Sequence, residues 1–172
     1  MRVPNDKLSK KLFERTAEQY QKLIAGGTGK IIETTDKKGN EIKTSYWLKH
    51  VDGYTDMTPL RELDRAVMSV CTSTIESGFD FATVDSSFRV MTQSGHRAPR
   101  DNQRRAILES LERLMKTVVR IDMTDICKAV KKYGKAMSNP VIESPILPCE
   151  LFDGIVNGQV ATVIKLPREP PL

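Results

Sequence analysis

Ile107, Leu108, Leu111, Leu114, Met115 and Val118 recur at i, i+1, i+4, i+7, i+8 and i+11, the apolar stripe of an amphipathic helix. With no glycine or proline between, the pattern changes to period two, Val119, Ile121 and Met123 alternating with Arg120 and Asp122. A helix that abuts a strand needs both a helical layer and a sheet to cover it, so the chain reads as α+β. Pro99 marks the first helical position, with Gly95 before it. Arg97, Arg100, Arg104 and Arg105 then crowd the end where the helix dipole is already positive. That is the wrong sign for helix stability and the right sign for a phosphate backbone.

The remaining elements follow from local signals. Leu8, Leu12, Tyr20, Leu23 and Ile24 fit a loose helix ending at Gly26-Gly27. Strands over 30–35 and 41–48 flank a hairpin turn at Asp36 to Asn40. Thr58 is the expected N-cap of a helix whose first position is Pro59 and whose stripe is Leu60, Leu63, Val67, Val70, Cys71 and Thr74, up to Gly78. Phe79 to Phe81 is a strand fragment, and Thr83 caps a shorter helix carrying Val84, Phe88 and Met91. Residues 125–137 hold a short lysine-rich helix or loop. Two strands after it are joined at Asn157-Gly158, a hairpin dipeptide. Three helices followed by a β-hairpin is the order of a winged helix-turn-helix. The domain assignment is 1–57 for an N-terminal helix and hairpin extension, 58–166 for the winged-helix DNA-binding domain, and 167–172 for the start of a linker.

Charge points to the same region. Between Arg97 and Lys135 there are eleven Lys or Arg against five acids, so more than the whole net charge of +5 sits there. Aromatic residues, at 6%, are sparse, which argues against a base-stacking single-strand binder built on aromatic platforms. Cys71, Cys127 and Cys149 lack paired metal or redox spacing. Gly26-Gly-Thr-Gly-Lys30 imitates a phosphate-binding loop but has Ile24 and Ile31 where that loop needs a glycine and a hydroxyl. His50 and His96 are far apart, and nothing in the spacing gathers Asp64, Asp122 and Asp125 into a magnesium site. The expectation is a non-enzymatic, cytoplasmic protein with no cofactor, no metal and no membrane segment.

Projected at 100° per residue, the third helix puts Arg100 and Arg104 on the side of Leu111 and Val118. Asn102, Arg105, Ala106, Glu109, Arg113 and Lys116 fall on the opposite side. The N-terminal residues of such a helix meet base edges in the major groove, which makes Asn102, Gln103, Arg105 and Ala106 the base-reading candidates. Arg97, Arg113, Lys116, Lys128, Lys131 and Lys132 are the phosphate-contact candidates.

The run Met57-Thr-Pro-Leu-Arg-Glu-Leu-Asp-Arg-Ala-Val67, with Phe81-Ala-Thr83, Phe88-Arg-Val-Met-Thr92 and Gly95, resembles the N-terminal winged-helix domain of plasmid replication initiator proteins. Residues 107–115, Val119-Arg-Ile-Asp122 and the stretch from Asn157-Gly158 to Leu172 extend the resemblance over most of 57–172. It implies binding of double-stranded DNA at the repeats of a replication origin, local remodelling of that DNA, and recruitment of host replication proteins. It also implies a homodimer, and a first domain whose second is missing here. A winged-helix transcriptional regulator, or a dimerising protein-interaction module with little DNA affinity, fits the same fold order.

Overall fold

The computed structural model describes residues 6–92, 98–131 and 140–168. Six helices and two antiparallel sheets make a mixed α+β structure among these residues. The chain divides into two compact units that interleave in sequence. The first comprises residues 1–14, 60–116 and 146–172, and the second 15–59 and 117–145.

In the first unit, α1 (Asp6–Phe13) precedes α3 (Glu62–Glu76), α4 (Val84–Thr92) and α5 (Asp101–Lys116). Leu12, Val67, Cys71, Ile75, Phe88, Ile107, Leu111 and Leu114 are buried among these helices. Leu111 and Leu114 are wholly inaccessible, and each contributes about 1.5–3 kcal/mol by leaving water. The helices are completed by a three-stranded sheet of β3 (Phe81–Thr83), β6 (Glu150–Val156) and β7 (Gln159–Lys165), in the order β3-β7-β6. Asn157 (φ 51°) and Gly158 (φ 78°) turn β6 into β7 with two left-handed residues, the geometry that asparagine-glycine favours. Thr83 caps α4 as the sequence predicts: its hydroxyl accepts from Ser86 N–H at 3.0 Å, and Ser86 Oγ accepts from Thr83 N–H at 3.1 Å.

The second unit is built on α2 (Ala17–Ile24), β1 (Gly29–Thr35), β2 (Glu41–His50), β4 (Thr117–Asp122), α6 (Thr124–Lys131) and β5 (Val141–Pro145). Its sheet runs β1-β2-β4-β5. Thr44, Tyr46 and Leu48 of β2 and Thr117, Val119 and Ile121 of β4 are buried, so the residues between them form the open face. Tyr46 lies across Gly29, where an added Cβ would sit 2.0 Å from Tyr46 Cζ. Only glycine fits under that ring.

Four details depart from the sequence reading. The first loose helix is two, because Thr16 and Gln19 form a capping box that starts α2. The helix expected from Pro59 starts at Glu62, and Thr58 bonds Asp56 instead of capping it. Likewise α5 starts at Asp101, with Pro99 buried just ahead of it. Last, β4, expected within the 58–166 domain as the strand that follows its third helix, lies in the second unit. It pairs with β2 over six positions, from Ser45↔Asp122 to His50↔Thr117, and carries α6 and β5 into the second unit. The units therefore do not follow the contiguous 1–57 and 58–166 assignment. A two-stranded hairpin such as β1-β2 is marginal alone, and β4 and β5 supply the strands it lacks.

Candidate nucleic-acid interface

The start of α5 is held by its own side chains. Gln103 Oε1 accepts from Arg100 N–H at 2.8 Å, while Arg100 C=O accepts from Arg104 N–H at 2.9 Å. Gln103 thus closes the first turn, the reach-back of a capping box. Half-buried and engaged this way, it is not a free base reader as the sequence suggests. Asn102 and Arg105 are exposed one turn apart, and Ala106 is half-buried beside them. Glu109 and Glu112 continue the exposed stripe of α5. Along that stripe the helix reads neutral, positive, negative, negative, and the exposed Asp101 opens the first turn beside it.

The other arginines of the helix have separate fates. Arg104 grips Asp85 of α4 as a fork, Nε to Oδ1 at 2.9 Å and Nη2 to Oδ2 at 3.0 Å, and reaches Asp101 at 3.4 Å. The hydrogen bond from Arg104 holds the Asp85 carboxyl below the usual carboxylate range. Arg113 overturns its assignment as a phosphate contact. It is buried, donating to both Asp64 oxygens from Nε at 3.2 Å and to Oδ1 from Nη2 at 3.0 Å. Ser110 Oγ donates to the same carboxylate at 2.6 Å, and Arg61 N–H does so at 2.8 Å. Asp64 is fully buried and takes four donor groups, so its role is to fasten α3 to α5 rather than to hold a metal.

Lys116 is half-buried at the far end of α5, about 21 Å from Asn102 along the helix axis. Lys128 is exposed on α6 in the second unit. Arg97 and Lys132 lie outside the described residues, as does the side chain of Lys131. Exposed cations near α5 that the sequence reading did not assign to DNA include Arg89 on α4, and Arg100, which was assigned to the packed side. Arg100 precedes the first helical residue, so projecting it as part of the helix misplaces it.

The β6-β7 hairpin has a different character. Ile155 and Val160, paired across the strands, are 77% and 78% exposed, and Phe152 and Val156 are exposed as well. Between Ile146 and Ile164 there is no Lys or Arg, while Glu150 and Asp153 are acidic. A cleft of about 340 Å³ runs between this hairpin and the helices, lined by Val84, Asp85, Arg104, Leu108, Asp153 and 160–162. Its one cation is already neutralised by Asp85.

Among the described residues, no helix is long and apolar enough to cross a membrane. Comparison with family models, with curated proteins and with solved structures returned no match.

Proposed function

We propose that the first unit is a winged helix-turn-helix module, and that it binds double-stranded DNA through the first two turns of α5. Support for the fold comes from the order α3, β3, α4, α5, β6, β7 and the sheet order β3-β7-β6. The observation that carries the binding is the exposed pair Asn102 and Arg105 at the N-terminal end of α5, beside Asp101, which Arg104 reaches at 3.4 Å. Arg105 is suited to guanine and Asn102 to adenine, while Arg89 and Arg100 serve as phosphate contacts. Within this reading the protein is a non-enzymatic, cytoplasmic DNA-binding domain, and its resemblance to plasmid replication initiators makes origin repeats the target and a homodimer the working form.

A gel-shift series in salt tests it. With about three to four phosphates engaged, log K falls against log salt with a slope of about −3 to −4. A flat response, or no binding by this chain, contradicts it. One observation favours a second reading, a protein-interaction module: the tip of the hairpin displays Ile155 and Val160 rather than the cations a DNA-contacting wing would carry. Absence of duplex binding together with concentration-dependent self-association selects that reading.

A further inference from the structure

The open face of the second unit's sheet carries an arrangement that duplex binding by α5 does not use. Trp47 is the chain's one tryptophan, set on β2 and half-buried, with the Arg120 guanidinium over its ring at 5.6 Å from the centroid. The two are direct cross-strand partners, and Glu143 of β5 is the next residue in the same row. Strand alternation puts Lys43, Ser45 and Lys49 of β2 on this face with Trp47, and Lys30 of β1 joins them opposite Ser45. Lys30, Lys49 and Arg120 are exposed and Lys43 is half-buried.

The nearby acids are occupied from within. Lys49 Nζ lies 2.9 Å from Glu143 Oε1, and Asp122 Oδ1 accepts from the Thr124 N–H at 2.9 Å and from its hydroxyl. Asp125 of α6 accepts from the Lys43 backbone N–H at 3.3 Å, and Glu41 lies six residues along β2 from Trp47, about 20 Å away. The result is a sheet face that carries one tryptophan and four cations, of which Lys49 is paired with Glu143.

We propose that this face binds single-stranded nucleic acid, one base stacking at Trp47 and Arg120 while Lys30, Lys43 and Lys49 follow the phosphates. An aromatic platform edged by cations is the chemistry by which unpaired strands are held without sequence reading. Duplex DNA keeps its bases inside the stack and offers no π-face to Trp47. A protein partner is a poorer fit, because the centres of protein interfaces are depleted of lysine and this ring is flanked by lysines. The proposal stands independently of duplex binding by the first unit.

Because Trp47 is the sole tryptophan, its fluorescence reports this face directly. The test is a titration of the whole chain with a 15-mer of oligothymidylate and a 15-mer of oligouridylate. Saturable quenching that weakens as salt rises supports the proposal, with a log–log slope of about −0.7 for each phosphate engaged. Quenching by both identifies single strands in general; quenching by one alone assigns DNA or RNA as the strand. No quenching by either overturns the proposal, as does quenching that salt leaves unchanged. A shift of Trp47 emission with protein concentration alone, unaffected by either oligomer, overturns it in favour of self-association.

Variants are read by anisotropy of a labelled oligomer. Trp47→Ala weakens binding by about tenfold or more, since base–aromatic stacking dominates such platforms. Should that variant fail to fold, Arg120→Gln and Lys49→Gln, both on exposed side chains, each weaken it severalfold and reduce the salt slope; unchanged affinity in both overturns the proposal. Arg105→Ala leaves single-strand binding intact, which separates failure here from failure of the duplex reading.

Discussion

The two ends of α5 use the same residue type in opposite ways. At its C-terminal half Arg113 is buried and spends its donors on Asp64, 49 residues away in sequence. At its N-terminal end Arg105 is exposed and has no ion-pair partner among the described residues. Arg104, next to Arg105, is forked onto Asp85 and half in solvent. Position on the helix therefore does not assign an arginine's role. What decides it is whether a carboxylate from a neighbouring helix waits at that height. One end of the helix is committed to the fold, which leaves the other end rigid and available.

The largest effect expected from that contrast is at Asp64. Asp64→Ala leaves the Arg113 charge buried without a partner and costs about 3–5 kcal/mol, measured by chemical denaturation. Replacing both partners with apolar residues, Asp64→Leu with Arg113→Met, restores most of that stability, because no charge is then left buried. A double variant as unstable as the single one would mean that the pair does more than neutralise itself.

Asp85→Asn comes next. Removing the carboxylate from the Arg104 fork costs less than about 1 kcal/mol, since both side chains are more than a third exposed. The pH dependence has a definite sign. Asp85 titrates below its ordinary value of 3.8 in the folded chain, so its contribution is complete above that value and is lost as the pH falls through the folded one. Acid titration of the wild type against Asp85→Asn isolates this loss below pH 4; a difference between them that changes from pH 7 to 5 would contradict it. Glu109→Gln and Glu112→Gln are smaller still in stability, within about 0.5 kcal/mol, but each raises duplex affinity by relieving repulsion beyond the first two turns.

Much of the local structure was legible beforehand, and most of what was missed is long-range. Asn157-Gly158 and the Asp36 to Asn40 turn announce their hairpins because turn chemistry is carried by adjacent residues. The stripes of α3, α4 and α5 are local for the same reason. The period-two run after Lys116 identified β4 as a strand but not its partner, since the pattern of a strand records which side is buried and not which strand lies beside it. Arg113 was misassigned because helical projection treats a charge as solvent-facing by default; its partner Asp64 lies on another helix and carries no sequence mark of the pairing. Gln103 was half legible, as its place three residues after the residue preceding α5 is a capping position as well as a groove-facing one. Arg105 and Asn102 stayed where projection put them.

The central claim is that the N-terminal end of α5 reads duplex DNA. Arg105→Ala, compared with the wild type by gel shift on the preferred site and on scrambled duplex at fixed salt, addresses it directly. The predicted result is unchanged folding stability with a loss of about 1–3 kcal/mol on the preferred site and a flattened preference between the two duplexes. Equal affinity for the preferred duplex in both proteins would contradict it.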